Sequence, residues 1–337
     1  MENNRIVISK FGEAEVLQKV SEKQLPKLQK GQVRVKVLVT SACFTDTLIR
    51  RGLYLGVKEK PPFSPGYDLV GIVDELGEEV KNLSKGQKVA ELTVIGAYSE
   101  YICLDANSVV PVPENLDNAE TVSLILSYLT AYQMLHRSAS IKTGQTILIH
   151  ACSGAVGTAL LQLGKLLNLK MYGTASKSKH SFIEEMGAIP IDYKSEDFVD
   201  VINKKEPGGL DAVFDPMGGD YFPRSLSLIK KKGTLVGFGF QNSASGNGGN
   251  VLIDFFKVKW WNILPNKPSA SFYVISSMRK KHPDWFKNDL EVLFQLLSER
   301  KIKPVIGKIM KLEQAVEAHK LVENAKVKGK IVLSIND

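Results

Sequence analysis

The strongest constraint on the fold is a glycine-containing turn between a buried strand and a helix. The stretch "TILIHACSGAVGTALLQLGKLL" places Ala151, Gly154 and Gly157 in an A-x-x-G-x-x-G pattern. A small first residue permits the tight turn, the second position lets a pyrophosphate approach the backbone, and the third lets helix and strand pack closely. The N–H groups of Ala155 and Val156 would then open the helix and favour a phosphate. The context of strand, turn and helix therefore predicts a dinucleotide site.

The residues before this turn predict a module of short strands. "QVRVKVLVTSA" at 32–42 alternates valines with polar residues, which is the period of a half-buried strand. Runs at 69–77 and 88–92 are similar, and turn residues separate them. Several short strands at such spacing predict a β-barrel-like domain.

The pattern changes near residue 120, where a long apolar-periodic stretch at 118–137 predicts a helix. Strands and helices then alternate. Such alternation predicts a parallel sheet wrapped by helices, and hence an α/β fold. The strands are expected at 146–151, 170–175, 210–216 and 233–239, with helices at 157–168, 179–187 and 225–230. A flexible loop is expected at 243–250, and a late helix and strand at 312–325 and 329–335.

Composition narrows the class of protein. No run of about 18 apolar residues occurs, so no membrane span is expected. The N-terminus "MENNRIVISK" lacks the apolar core of a signal peptide, and three widely spaced cysteines argue against a disulfide framework. We therefore expect a cytoplasmic protein. The formal charge of +8 comes from scattered lysines without interleaved aromatic residues, which argues against a nucleic-acid groove.

The residues after the second strand of the alternating region predict the choice of cofactor. An enzyme that uses NAD places a carboxylate there, about 20 residues past the glycine turn, to bind the ribose 2′-hydroxyl. This chain has Ser176 and Lys179 in that turn, and no carboxylate appears until Glu184. Hydroxyl and ammonium groups suit a 2′-phosphate instead. The sequence therefore predicts NADPH.

Seven segments, taken together, carry a resemblance to one family. They resemble zinc-independent medium-chain dehydrogenases/reductases of the quinone oxidoreductase type. The segments at 173–180 and 191–202 are similar to the VAT-1 branch. The segments are "CFTDTLIRRGLY" (43–54), "PGYDLVGIVDELGEEV" (65–80), "LTAY" (129–132), "HACSGAVG" (150–157), "FDPMGG" (214–219), "GTASKSKH" (173–180) and "IDYKSEDFVDVI" (191–202).

The resemblance implies two domains. A GroES-like β-barrel catalytic domain would comprise residues 1–126, completed by 265–337. A Rossmann nucleotide-binding domain with a doubly wound parallel sheet would comprise 127–264. The active site would lie in the cleft of such a protein, and a homodimer is expected.

The resemblance also bears on metal binding. In zinc-bearing relatives the three ligands fall at positions that correspond to Cys43, Tyr67 and Ser127 or a close neighbour, and a glutamate beside the second ligand corresponds to Asp68. Tyrosine and serine are not ordinary zinc ligands, and a catalytic site needs three protein ligands. We therefore expect no zinc. Cys43 would then be either a small buried side chain lining the cleft or a redox-sensitive thiol near the nicotinamide.

The activity implied by the resemblance is hydride transfer from NADPH to quinones or related α,β-unsaturated carbonyls. Reduction of 2-alkenals or enoyl thioesters is the alternative. The reduced product needs a proton or a hydrogen bond. Related enoyl reductases carry a tyrosine at the position of Tyr54, so Tyr54 is the candidate donor. Asp46 is a weaker candidate, since its carboxylate would also serve to hold its loop.

Further cofactor contacts are implied at four positions. Thr130 corresponds to a contact at the nicotinamide end, although packing within its helix is an equal reading. Tyr193 would add a phenol to the 2′-phosphate pocket. Phe238 and Gly239 correspond to a loop around the nicotinamide, and core packing would also use this phenylalanine.

The aromatic stretch "VLIDFFKVKWWNIL" at 251–264 leaves a second class of function open. A lid or a dimer contact is the favoured reading. The flanking lysines also suit contact with a membrane surface. The alternative function is that of a VAT-1-like protein that binds lipid or a partner and uses its nucleotide site only structurally.

Overall fold

The described part of the chain comprises residues 2–244, 251–261 and 268–335 of a computed structural model. Its strands are β1 (Asn3–Ile8), β2 (Leu17–Glu22), β3 (Gln32–Ala42), β4 (Leu69–Leu76), β5 (Lys88–Glu91), β6 (Tyr101–Asp105), β7 (Val110–Pro111), β8 (Thr146–Ile149), β9 (Lys170–Ala175), β10 (Ile189–Asp192), β11 (Leu210–Asp215), β12 (Ile229–Gly237), β13 (Ser269–Phe272), β14 (Ile306–Lys311) and β15 (Lys330–Ser334).

Its α-helices are α1 (Phe44–Arg50), α2 (Asn118–Ser123), α3 (Leu129–Gln133), α4 (Ala155–Leu166), α5 (His180–Glu185), α6 (Phe198–Lys205), α7 (Tyr221–Ser227), α8 (Gln241–Ala244), α9 (Val251–Trp261), α10 (Ile275–Lys281), α11 (Pro283–Ser298) and α12 (Ala315–Glu323). Turns of 3₁₀ helix lie at Ala14–Val16, Lys177–Lys179 and Leu312–Gln314, and π-helical turns lie at Leu124–Tyr128 and Met134–Ser138. Within these ranges, no helix combines the length and the apolar character needed to cross a bilayer.

The chain forms two units, Met1–Leu129 with Pro283–Asp337 and Thr130–His282. We expected the Rossmann domain to end at 264, and residues 262–264 lie outside the described ranges. The second unit extends further because β13 pairs in parallel with β12 and adds a sixth strand to its sheet. Residues 268–282, which we assigned to the barrel domain, therefore fall with the parallel sheet.

The first unit is built on a sheet in the order β14-β15-β3-β4-β5-β7, and β6 also pairs with β3. The alternation expected for β3 is confirmed, since Val33, Val35 and Val37 are fully buried. They pack in one core with Leu69 and Val89 of the neighbouring strands. The late strand β15 lies between β14 and β3, which places residues 331–334 beside residues 39–42.

The second unit is a parallel sheet in the order β10-β9-β8-β11-β12-β13. Numbered within the unit, this is the order 3-2-1-4-5-6 of a doubly wound dinucleotide-binding fold. Its central residues, such as Leu148 and Val213, are fully buried, as expected for a sheet covered on both faces. The α/β fold class is confirmed.

Three local predictions differ from the structure. The helix expected at 118–137 is helical throughout, but π-helical turns interrupt it twice. The helix expected at 225–230 ends at Ser227, because Ile229 already pairs with Leu210 at the start of β12. Ser243 and Ala244 belong to α8 and not to the expected loop, and the remainder of that loop, 245–250, lies outside the described residues.

Candidate functional site

The glycine turn of the second unit has the geometry that the sequence predicts. Ala151 adopts a φ of 52°, a left-handed conformation that is costly for any residue with a side chain. A Cβ atom on Gly157 would lie 2.6 Å from the Cα of Cys152, so the close packing of helix and turn requires glycine there. Cys152 itself is buried beneath the turn, and burial raises its pKa to about 12, which leaves it an inert thiol.

Gly154 differs from Gly157 because no protein packing requires it. The nearest atom to a Cβ built on Gly154 would be the carbonyl oxygen of Ala151, at 3.4 Å. Gly154 is the N-cap of α4, and no side chain caps it there. The first N–H groups of the helix, those of Ala155 and Val156, therefore stand beside open space. The turn fits a phosphate group that approaches the backbone.

The parallel sheet brings most of the expected cofactor residues to one edge, because the carboxyl ends of parallel strands share an edge. Ser176 follows β9, and Lys179 closes the 3₁₀ turn behind it. Tyr193 follows β10 and is 49% exposed. Phe238 and Gly239 follow β12, where the Phe238 N–H donates to Asp215 O at 3.0 Å. Thr130 lies buried in α3, and its contact with the nicotinamide end stays a prediction.

A buried chain of hydrogen bonds lies beneath the same edge. The Ser225 hydroxyl donates to Asp215 Oδ2 at 2.7 Å, so its oxygen is left to accept from His150 Nε2 at 3.1 Å. His150 Nδ1 then accepts from the Thr174 hydroxyl at 3.1 Å. Burial lowers the pKa of His150 to about 3 and raises that of Asp215 to about 6. The chain joins the ends of β8, β9 and β11 beside the glycine turn, and His150 lies buried in the turn directly after β8.

In the first unit, two candidate catalytic residues, Asp46 and Tyr54, contact the segment 66–68. Asp46 Oδ1 accepts from the Gly66 N–H at 3.3 Å, and Asp46 Oδ2 accepts from the Cys43 N–H at 3.0 Å. The Tyr54 and Tyr67 hydroxyls lie 2.7 Å apart, and Tyr67 is fully buried. The contacts of Asp46 with Gly66 and of Tyr54 with Tyr67 thus fall on two adjacent residues, and Asp68 follows them directly.

Asp68 completes this group through an ion pair. Its Oδ2 accepts from the Lys330 ammonium at 3.1 Å, and its Oδ1 accepts from the Ser41 hydroxyl at 2.5 Å. The same ammonium donates to Ser127 Oγ at 3.4 Å. Lys330 and Asp68 are both buried. These contacts define the 66–68 cluster, which comprises Ser41, Asp46, Tyr54, Gly66, Tyr67, Asp68, Ser127 and Lys330.

Asp46 and Cys43 have shifted proton affinities. Burial raises the pKa of the Asp46 carboxyl to about 7, and hydrogen bonds to Cys43 act against that rise. Burial also raises the pKa of the Cys43 thiol well above its usual range. Asp46 acts here as a tether between the start of α1 and the turn at Gly66, which is the loop-holding role that the sequence analysis considered.

Cys43 and the residues of the 66–68 cluster together do not fit a catalytic zinc ion. The three positions that correspond to ligands present a thiol, a phenol and a hydroxyl, of which only the thiol is an ordinary zinc ligand. The hydroxyl of Ser127 and the neighbouring carboxylate of Asp68 are already bonded to the Lys330 ammonium. Across residues 2–244, 251–261 and 268–335, no three His, Cys, Asp or Glu side chains form a metal-binding group.

Sequence reasoning missed two parts of these sites. The Asp215 carboxylate lies in the segment "FDPMGG" that we used only as a family motif, and its buried position at a strand end was the available signal. Lys330 gave no signal, because it is 262 residues away from Asp68 in the sequence and reads as one lysine among many.

Comparison with known proteins places this geometry in a family. A model described as the alcohol dehydrogenase GroES-like domain matches residues 29–114, and one described as a zinc-binding dehydrogenase matches residues 186–333. The synaptic vesicle membrane protein VAT-1 homolog of Danio rerio is 30% identical over 337 residues, which cover 98% of this chain and 69% of the relative.

Two solved structures are similar over almost the whole chain. The quinone oxidoreductase from Coxiella burnetii is 30% identical, with a TM-score of 0.86 and coverage of 100% of both chains. The Escherichia coli quinone oxidoreductase complexed with NADPH is 26% identical, with a TM-score of 0.88 and coverage of 98% of this chain and 100% of that one. The sequence and its two-unit fold agree, and the chain belongs to the medium-chain dehydrogenase/reductase family, in its quinone oxidoreductase type close to VAT-1.

Proposed function

We propose that this chain is an NADPH-dependent reductase that transfers hydride to quinones or related α,β-unsaturated carbonyls without a zinc ion. The observation that carries the proposal is the end of β9, beside the glycine turn. Ser176 and the basic turn Lys177–Lys179 stand there, where an NAD enzyme would place a carboxylate. The E. coli relative, which was solved with NADPH, supports the same cofactor.

The carboxylate that ends the neighbouring strand is engaged within its own loop. Asp192 ends the neighbouring strand β10, but its Oδ2 accepts from the Ser195 hydroxyl at 2.9 Å and its Oδ1 from the Lys194 N–H at 3.2 Å. These bonds hold the carboxylate within its own loop and lower its pKa. A 2′-phosphate would therefore meet the Ser176 hydroxyl, the Lys179 ammonium and the Tyr193 phenol.

The chain's own residues would divide the remaining work. The N–H groups at the start of α4 would hold the pyrophosphate, and the open space over Gly154 would admit it. Bound NADPH supplies the hydride. The Tyr54 hydroxyl, held by Tyr67 at 2.7 Å, would donate a proton or a hydrogen bond to the reduced acceptor.

The direct test is NADPH oxidation measured across quinones, 2-alkenals and enoyl thioesters. We expect turnover with quinones or simple enones, and preferred turnover of enals or thioesters would favour the alternative acceptors. Measurable NADPH binding without turnover on any of the three classes would refute the proposed reductase.

A charge reversal tests the cofactor site. Lys179→Glu should weaken NADPH binding much more than NADH binding, because only NADPH carries the 2′-phosphate. Charge-assisted hydrogen bonds contribute ~1.5–3 kcal/mol each before screening. With screening by salt, we expect the unmodified protein to prefer NADPH by about 10–100-fold.

The matched control is Lys165→Glu, which makes the same charge change in the last turn of α4, at the opposite end from the glycine turn. It should leave the ratio of the two affinities unchanged. Equal affinity of the unmodified protein for NADPH and NADH at low salt would contradict the assignment of this turn.

A second candidate function is contact with a lipid surface, and the exposed face of α9 favours it. Ile253, Phe256 and Trp260 lie at positions i, i+3 and i+7 and are each more than half exposed. Lys257 is exposed on the same helix. An apolar face beside basic residues is typical of helices that lie in a membrane interface.

Co-sedimentation tests this second function, with vesicles of phosphatidylcholine alone and vesicles of phosphatidylcholine mixed with an anionic lipid. Phe256→Ser/Trp260→Ser should abolish sedimentation if α9 inserts. Leu55→Ser, which removes an exposed leucine of the first unit, should not affect it. Equal sedimentation of both variants and the unmodified protein would exclude α9 as the contact.

A further inference from the structure

We infer that the ammonium of Lys330 is the resident cation of the 66–68 cluster and that it excludes a divalent metal ion from it. This goes beyond the proposed reductase, since it concerns what the cluster binds and not what it reduces. The family description of a zinc-binding dehydrogenase makes the question specific, because it matches residues that include Lys330.

Each carboxylate oxygen of Asp68 already has a hydrogen-bond donor. One carboxylate oxygen accepts from Lys330 at 3.1 Å, and the other accepts from Ser41 at 2.5 Å. The backbone carbonyl of Asp68 also accepts, from the Thr40 hydroxyl at 2.6 Å. Asp68 is fully buried, where an ionised carboxylate is tolerated only when it is paired and hydrogen-bonded. The lysine therefore supplies the charge that this carboxylate needs.

The ammonium has a fixed position. Lys330 begins β15, its N–H donates to Val305 O at 2.8 Å, and the strand is paired on both sides, with β14 and with β3. Its side chain is 2% exposed as part of the ion pair. The ammonium is thus held in the cluster by the sheet itself and by both of its acceptors, Asp68 and Ser127.

This arrangement has a consequence for metal binding. A divalent ion that used Asp68 or Ser127 as a ligand would have to displace the ammonium or lie within a few ångströms of it. Like charges at that distance repel strongly where water is excluded. Zinc can take a carboxylate oxygen as a ligand, and this cluster offers a carboxylate without a bound cation only when the lysine charge is removed.

The test is zinc binding, measured by elemental analysis after equilibrium dialysis and by calorimetric titration with Zn²⁺. The unmodified protein should hold no stoichiometric zinc. Lys330→Met should raise the weak affinity for zinc at least about tenfold, because Asp68 then offers a carboxylate without its cation, while the ligand set still falls short of a catalytic site. Asp68→Asn/Lys330→Met should return to the unmodified level. Lys326→Met, which removes an exposed lysine from the same segment, is the charge-matched control and should change nothing.

Two results would overturn the inference. One is about one zinc per chain in the unmodified protein, and the other is a folded Lys330→Met variant that binds zinc no better than the unmodified protein. If circular dichroism shows that Lys330→Met is unfolded, Lys330→Gln makes the same comparison with an uncharged amide that still donates to Asp68. The readout needs no turnover, so it stands apart from a failure of the proposed reductase.

Discussion

The contact between the Tyr54 and Tyr67 hydroxyls would orient Tyr54 for the proton donation that we propose. Tyr67 is buried, while Tyr54 keeps partial exposure, and the two rings meet edge to face with centroids 6.1 Å apart. A Cβ on Gly56 would lie 2.6 Å from the Tyr54 ring, so a glycine at this position leaves room for the ring. The Tyr54 hydroxyl is therefore oriented by a buried partner.

Removal of the two hydroxyls should separate donation from positioning. Tyr54→Phe should lower turnover of enones by ~10²–10⁴-fold, the usual contribution of a general acid. Quinone turnover should fall less, because the ring of a hydroquinone anion already stabilises its charge. Tyr67→Phe should cause a smaller loss, seen in kcat more than in KM, since it only frees the Tyr54 hydroxyl. Steady-state kinetics on both acceptors measure this, and an unchanged enone rate in Tyr54→Phe would remove that residue from the role.

His319 is a buried neutral histidine whose state is set by its neighbours. Arg50 Nη1 can only donate, so His319 Nδ1 accepts at 3.5 Å, and the proton of the ring lies on Nε2, 3.1 Å from the Tyr98 hydroxyl. Burial, and secondarily the charge of Arg50, lowers the pKa of His319 to about 3. An unfolded histidine has a pKa near 6.5.

This shift predicts part of the acid sensitivity of the protein. Between pH 6.5 and 3 the unfolded chain binds a proton at His319 that the folded chain does not, so folding stability falls as the pH falls through that range. Between pH 7 and 5 the loss from this residue should be about 2 kcal/mol. His319→Gln should remove that part of the pH dependence. Urea denaturation at the two pH values measures the free energy of unfolding. An equal change in that free energy between pH 7 and 5 for both proteins would contradict the assignment.

Among the secondary-structure elements, those with strong local signals were predicted well. β3 and β9 begin and end at the expected residues, because valine alternation or a short apolar run is bounded by turn residues. The boundary between α7 and β12 was wrong, because the pairing of Ile229 with Leu210 overrides a short apolar run that suits either structure. The glycine turn was predicted at its observed place, since its strand, turn and helix are contiguous, and its binding of a cofactor stays a prediction.

Two glycines of that turn should respond differently to the same substitution. Gly157→Ala places a methyl group 2.6 Å from the Cys152 backbone and should lower the free energy of unfolding by about 1–3 kcal/mol. Gly154→Ala meets no atom closer than 3.4 Å, so it should change stability by less than about 1 kcal/mol while weakening NADPH binding. Chemical denaturation and cofactor titration give the two measurements. A similar loss of stability in both variants would show that Gly154 has a packing role.

At the scale of the whole molecule, the sequence predicted the fold class but not the contacts that cross it. The parallel sheet follows from local alternation, and its strand order agrees with a dinucleotide fold. The 66–68 cluster depends on β15 lying against β3, and no local pattern reveals which lysine reaches Asp68. The contact of Tyr54 with Tyr67 likewise depends on a turn between two elements. The expected homodimer stays a prediction.

The pairing of Lys330 with Asp68 can form only late in translation, because the two residues are far apart in the sequence. Asp68 is synthesised 262 residues before Lys330, an interval of roughly 13 to 52 s at ordinary rates of elongation. Throughout it, the carboxylate lacks its ammonium and β3 lacks the neighbour β15. All six strands of the parallel sheet leave the ribosome within that interval. The parallel-sheet unit is thus the first of the two that the nascent chain can complete, and the unit that begins earlier in the chain is closed only when β15 has been made.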